Sequence, residues 1–136
     1  MSNIEQTLSI IKPDAVERNL ENEIKVLFKN NRFNILKEKK IQITKSEAEQ
    51  FYKVHETKPF YNDLCAYLSS GPIVVMVLEK ADALLSNRKL MGATNPKGAE
   101  EGTIRKKYGI SIDKNSVHGS DSVENAKIEI DFFFKD

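Results

Sequence analysis

The chain has 136 residues, 40% hydrophobic and 30% charged, which suits one ordered domain over residues 1–136 rather than a disordered chain. Its 21 basic residues are nearly matched by 20 acidic ones, so the net charge of +1 argues against a nucleic-acid-binding protein. The single cysteine, Cys65, excludes an internal disulfide, and the longest apolar run, Ile73 to Leu78, is too short to span a bilayer. Because no early segment has the layout of a signal peptide, we expect a cytoplasmic protein without a membrane partner.

The first third of the chain predicts two strands separated by a helix. Thr7 to Ile11 favours a strand, which Lys12-Pro13 ends because proline cannot donate to a sheet ladder. Apolar residues then recur at helical spacing from Leu20 to Phe28, so we expect a helix that ends near Asn30-Asn31. A second, long strand is expected over Phe33 to Ile43.

Two helices are predicted in the middle of the chain. Ser46 and Glu49 match the capping-box pattern and predict the start of a helix that runs toward His55. The next helix follows Pro59, and Gly71-Pro72 ends it.

The second half of the chain begins with the most apolar strand. Ile73 to Leu78 lacks alternation, which is typical of a central strand covered on both faces. Asp82 is expected to cap the helix that follows. From Gly92 to Val117 the pattern loosens into a long connection, and such connections in compact domains are usually functional. A short strand near Ser116 to His118 and a helix that carries Val123 and Phe133 complete the chain.

This order of elements predicts a fold class. Four strands with helices between them favour an α+β, ferredoxin-like sandwich, in which helices cover a four-stranded antiparallel sheet. Extra helices and the long loop would elaborate that core.

The two histidines differ in their surroundings. His55 lies at a predicted helix end among charged residues, where an exposed or packing histidine is the ordinary interpretation. His118 lies in N-S-V-H-G-S-D-S, where a strand ends and a glycine allows a ligand to approach the backbone. A neutral imidazole at such an edge is a competent nucleophile, although a turn followed by a helix cap explains the same residues.

Three cations are candidates for binding an anion near His118. Arg88 and Arg105 flank or lie in the long loop, and Lys12 closes the first strand. Arginine forks match phosphate geometry, although each cation alone is more often a solvated charge, and we expect all three outside the core. The sequence has no Walker loop, no G-x-G-x-x-G and no cysteine–histidine cluster, which disfavours P-loop, Rossmann and zinc mechanisms.

Four blocks resemble the signature blocks of nucleoside diphosphate kinases, in that family's order and with its separations. They are T-L-S-I-I-K-P-D from Thr7, R-K-L-M-G-A-T-N-P from Arg88, G-T-I-R ending at Arg105, and N-S-V-H-G-S-D-S-V-E from Asn115. The resemblance implies a ping-pong reaction. A nucleoside triphosphate gives its γ-phosphoryl group to His118, and a nucleoside diphosphate takes that group in the same site.

The resemblance also implies roles for individual residues. His118 would be phosphorylated on Nδ1, Glu129 would orient the ring partly through Ser120, and Gly119 would support the site. The implied contacts with the phosphates and sugar of the nucleotide are Lys12, Tyr52, Arg88, Thr94, Arg105 and Asn115, and Lys12 is also implied to be catalytic. Phe60 would stack on the base, and Ile112 would close the other side of the base. Magnesium is the implied cofactor, held mainly by the nucleotide phosphates and water rather than by a protein cage.

The resemblance further implies a homo-oligomer, and we favour a hexamer over a tetramer. One departure bears on assembly, because Glu101 stands where many relatives carry proline.

Two other functions remain open at this stage. A phosphohistidine carrier would need His118 but not Phe60 or Arg88, and the near-neutral charge weighs against an RNA-binding module.

Overall fold

The computed structural model describes residues 4–111 and 114–134, which form a four-stranded sheet with helices on both faces. The strands are β1 (Ile4–Ile11), β2 (Asn34–Ile41), β3 (Ile73–Ala81) and β4 (Val117–Gly119). They lie in the order β2-β3-β1-β4, and every neighbouring pair is antiparallel. The helices are α1 (Pro13–Glu17), α2 (Glu21–Asn30), α3 (Lys45–Phe51), α4 (Tyr61–Leu68), α5 (Ala83–Met91), α6 (Ile104–Tyr108) and α7 (Val123–Phe133). The predicted α+β sandwich is confirmed.

The core has two layers because β1 and β3 are buried on both faces. One layer contains Ile11, Phe28 and Met91, and it lies under α1, α2, α5 and α6. The other contains Leu8 and Phe133, and it lies under α3, α4 and α7. In β3 the first six residues are all buried, as predicted for a central strand. Within the described ranges, no helix has both the length and the apolar character needed to cross a membrane.

The sequence prediction missed two helices. Pro13 ends β1 as expected, but it also begins α1, because a proline in the first turn of a helix removes no intrahelical hydrogen bond. The predicted loose connection between Gly92 and Val117 contains α6 and a 3₁₀ turn at Pro96–Gly98. The hydroxyl of Thr103 caps α6 by accepting a hydrogen bond from the amide of Lys106.

One predicted helix cap was wrong, and another lies where it was predicted but makes no side-chain bond. The capping box of α3 is formed by Thr44 and Glu47, which exchange backbone and side-chain hydrogen bonds of 3.1 and 2.9 Å, and not by Ser46 and Glu49. Both pairs fit the sequence pattern, but only Thr44 has the extended backbone that a cap needs. Asp82 is the N-cap residue of α5, as predicted, but it has a left-handed backbone and makes no capping bond with its side chain.

Glu101, which stands where many relatives carry proline, lies in a turn formed by Glu100 to Thr103. The amide of Thr103 donates to the carbonyl of Glu100 at 3.3 Å, which closes a four-residue turn. Gly102, in the third position, has a φ of 86°, as a type II turn requires. Glu101 is exposed in the second position, where such turns favour proline.

We therefore expect Glu101→Pro to raise the melting temperature by about 2–5 °C, because proline restricts the unfolded chain while fitting this turn. Scanning calorimetry would measure the shift. Glu101→Gln is the matched control: it removes the carboxylate beside Glu100 but leaves the backbone unrestricted, and it should change the melting temperature by less than about 1 °C. An equal gain in both variants would assign the effect to charge, and a loss in Glu101→Pro would contradict the turn.

Candidate active site

His118 lies in β4, directly opposite Ile10 of β1, and its ring is held from α7. Its Nε2 lies 3.2 Å from Oε1 of Glu129. Ser120 donates to the same oxygen at 2.8 Å, and its hydroxyl also accepts from the amide of Leu8 at 3.3 Å. A carboxylate at Nε2 favours the tautomer that carries its proton there. The lone pair of the neutral ring is then on Nδ1.

Aromatic rings pack around the imidazole. Phe51 meets it edge-on at 5.4 Å between centroids, and Tyr52 meets it at 6.2 Å. Burial raises the pKa of the Tyr52 hydroxyl, and the nearby carboxylate of Glu129 raises it further. Tyr52 is therefore neutral at physiological pH. These residues line a cavity of about 230 Å³ beside His118 and Glu129.

His55 belongs to the same cavity, which the sequence analysis missed. It lies in a 3₁₀ turn at Lys53–His55, and its ring is 6.2 Å from Tyr52 and 6.1 Å from Phe60. Its Nδ1 is buried and has no hydrogen-bond partner among the described residues. The spacing between Tyr52 and His55 was an available signal, because residues three apart share a face of a helical turn.

Arg105 and Arg88 line a second cavity, of about 220 Å³, with Thr94 and Gly119. The guanidinium of Arg105 donates to the carbonyl of Gly92 at 3.0 Å and to that of Val117 at 2.9 Å. Burial lowers the pKa of Arg105 to about 10, with a further contribution from the positive charge of Arg88. A bound anion would relieve both effects. The expectation that Arg105 lies outside the core was wrong, because its side chain links the loop to β4.

Lys12 was also wrongly expected outside the core, since it is only 6% exposed. Its ammonium donates to the side-chain oxygen of Asn115 at 2.8 Å, and the Asn115 amide donates to the carbonyl of Thr94 at 3.1 Å. Its backbone amide donates to the carbonyl of Ser116 at 2.8 Å. Lys12 therefore ties the end of β1 to the long loop and to the segment before β4.

Gly119 allows α5 to approach the strand of His118. A Cβ atom at this position would lie 2.4 Å from Nδ2 of Asn87 and 2.7 Å from Cε of Met91. Both residues belong to α5, which also carries Arg88. Any larger residue would therefore displace these two side chains.

The remaining predicted residues are exposed or lie outside the described residues. Phe60 is 46% exposed and contacts the ring of His55, which connects it to Tyr52. Arg88 and Thr94 are exposed at the second cavity. Ile112 lies outside the described residues.

Comparison with known proteins gives closely similar relatives. The family model for nucleoside diphosphate kinase matches residues 5–136. A nucleoside diphosphate kinase of Campylobacter jejuni is 58% identical over 132 residues, which cover 97% of this chain and 96% of that one. One of Persephonella marina is 53% identical over 131 residues, or 96% and 94% of the two chains. The crystal structure of the Aquifex aeolicus nucleoside diphosphate kinase has a TM-score of 0.96 at 38% identity, covering 98% of this chain and 96% of that one.

The two arginines predict different effects on stability. Arg105→Ala should lower the free energy of unfolding by about 2–4 kcal/mol, because it leaves two carbonyl groups without their donor. Arg88→Ala is the matched control, since Arg88 is exposed, and it should change stability by less than about 0.5 kcal/mol. Urea unfolding would measure both. Equal stability of the two variants would show that the carbonyl bonds of Arg105 do not hold the loop.

Proposed function

The chain belongs to the nucleoside diphosphate kinase family, and from that premise we propose that His118 is the residue that carries the phosphoryl group. The protein is a phosphotransferase that acts on nucleoside tri- and diphosphates through a phosphohistidine. The observation that supports His118 is its hydrogen bond to Glu129. Because Glu129 takes Nε2, the nucleophilic lone pair is left on Nδ1.

In the first half-reaction, Nδ1 of His118 forms a bond to the γ-phosphorus and the bond from that phosphorus to the bridging oxygen breaks. The nucleoside diphosphate leaves with the electron pair of that bond. The imidazole gains positive charge as it becomes phosphorylated, and the carboxylate of Glu129 stabilises that charge through the Nε2 proton. Ser120 holds the carboxylate in place at 2.8 Å. A second diphosphate attacks the phosphohistidine and reverses these steps.

Phosphoryl transfer depends on positioning and positive charge more than on acids or bases. We assign Lys12, Arg88 and Arg105 to the phosphates, with Thr94 as a further phosphate contact. Arg105 is held by two carbonyl bonds, so its charge is preorganised before a nucleotide binds. The side-chain oxygen of Asn115 accepts the hydrogen bond from Lys12. We assign Asn115 and Tyr52 to nucleotide binding.

Magnesium fits this site as a companion of the nucleotide. In the described ranges no three histidine, cysteine, aspartate or glutamate side chains are grouped to hold a metal ion, and the cavity of Arg88 and Arg105 is cationic. We propose that phosphate oxygens and water hold the ion, as is usual for magnesium. When bound, it supplies neutralising charge on the phosphates.

We assign Phe60 to base stacking, with Ile112 on the other side of the base. Phe60 is exposed, as a stacking platform must be, and its ring contacts His55, which lines the cavity of His118. Every base offers a π-face, so such a site accepts purines and pyrimidines alike.

The experiment that tests this function uses γ-labelled ATP. Label should pass to the protein in an acid-labile, alkali-stable form and then to added GDP or dCDP. His118→Asn should remove labelling and turnover, while Lys127→Ala, at an exposed position of α7 outside the cavity of His118, should keep both. More than a trace of turnover in His118→Asn would contradict the phosphoenzyme mechanism and indicate direct transfer between two bound nucleotides. Labelling without transfer to a diphosphate would indicate a phosphohistidine carrier.

We also propose a homo-oligomer, with a hexamer favoured over a tetramer. Strand β2 lies at an edge of the sheet, where Leu36 is 45% exposed, and Leu85 of α5 is 63% exposed. An open strand edge and exposed apolar side chains favour association. Light scattering at micromolar concentration should give about six times the mass of one chain. A mass near four times that of one chain would indicate the tetramer, and an active monomer would refute assembly.

A further inference from the structure

Polar atoms that the proposed mechanism does not use lie beneath Gly119. Asn87 is fully buried in α5, and neither atom of its amide group has a hydrogen-bond partner in the part of the chain that the structure describes. The hydroxyls of Thr7 and Ser9 in β1 are equally buried and equally without a partner there. Buried polar groups of native proteins nearly always bond to protein or to ordered water. Four such atoms therefore require an explanation.

The register of the sheet places these atoms close together. Ser9 is directly opposite Gly119, and a Cβ atom on Gly119 would lie 2.4 Å from Nδ2 of Asn87. Opposed residues of antiparallel strands share a face of the sheet, with Cβ atoms about 5 Å apart. Ser9 therefore faces Asn87. Thr7 lies two residues before Ser9 and is on the same face.

We propose that Thr7, Ser9 and Asn87 form a buried water-binding pocket that fastens α5 to the central sheet. Water both donates and accepts, so it can bridge hydroxyl and amide groups that do not reach one another directly. The three side chains are uncharged, which favours a neutral ligand over an ion.

The pocket is placed to act on the reaction through position. Asn87 precedes Arg88 in α5, and Gly119 follows His118 in β4. A water bridge between the helix and β1 therefore fixes how far the phosphate-binding arginine lies from the nucleophile. Asn87 is a positioning residue in this account. This second step rests on the proposed function, whereas water binding itself does not.

A crystal structure of the full chain tests water binding directly. We expect density for a water molecule within about 3.2 Å of polar atoms from at least two of the three residues. Side chains that contact only carbon atoms, or that turn to bond with protein groups, would overturn the proposal.

Substitutions test water binding through the direction in which they change the melting temperature. Thr7→Val and Ser9→Ala each remove a hydroxyl group with little change in volume. If water satisfies those atoms, each variant should lower the melting temperature by about 3–8 °C, because the bridge loses partners. If the atoms are truly without partners, removing them should raise it.

A double-variant comparison separates a shared bridge from independent effects. Ser9→Ala combined with Thr7→Val should lower the melting temperature by less than the sum of the single variants, because both remove the same water. Ser46→Ala, at an exposed position in α3, is the control partner and should be additive with Thr7→Val. Additive effects in both pairs would overturn the shared pocket.

Steady-state kinetics test the positioning step. Asn87→Ala, assayed well below its melting temperature, should lower kcat about tenfold and change KM by less than about threefold. An unchanged kcat would limit the pocket to a structural role. These outcomes are separate from those of His118→Asn, which decide the phosphoenzyme mechanism whatever the pocket binds.

Discussion

The pairing of β4 with β1 is the interaction on which the candidate site depends. β4 has only three residues, so its own ladder is too short to hold it firmly. Its position is completed by further bonds. The backbone amide of Lys12 donates to the carbonyl of Ser116, Ser120 exchanges bonds with Leu8, and the guanidinium of Arg105 donates to the carbonyl of Val117. Two residues assigned to the nucleotide, Lys12 and Arg105, therefore also support the strand that carries His118.

This double use explains why the charged side chain of Arg105 is buried here. A buried cation costs free energy unless it is paired or hydrogen-bonded. Arg105 meets that condition through the carbonyl oxygens of Gly92 and Val117, which are polar but uncharged. These two bonds therefore hold the guanidinium without neutralising its charge. A carboxylate in the place of the carbonyl groups would accept the same bonds and would also cancel the positive charge.

The sequence predicted the fold and much of the neighbourhood of His118, but it predicted local detail poorly. The buried run of β3 was recognised because burial on both faces leaves a continuous apolar pattern. Thr44 was missed because two overlapping capping patterns begin within two residues of each other. Only the extended backbone of Thr44 identifies it as the cap, and the sequence does not show that conformation. The burial of Arg105 depends on carbonyls at Gly92 and Val117, which are remote in sequence and give no local signal. The residue roles came from the resemblance of sequence blocks, not from periodicity.

The long sequence separations within the site have a consequence for how the molecule acquires activity. Lys12 and Asn115 are 103 residues apart, and Leu8 and Ser120 are 112 apart. Contacts of this kind close large loops, whose entropic cost must be met before they contribute stability, so they slow folding. A chain emerging from the ribosome can form the pairing of β1 with β3 well before it has the residues that complete the site. Recovery of turnover during refolding should therefore report the last step of chain assembly rather than the formation of the sheet.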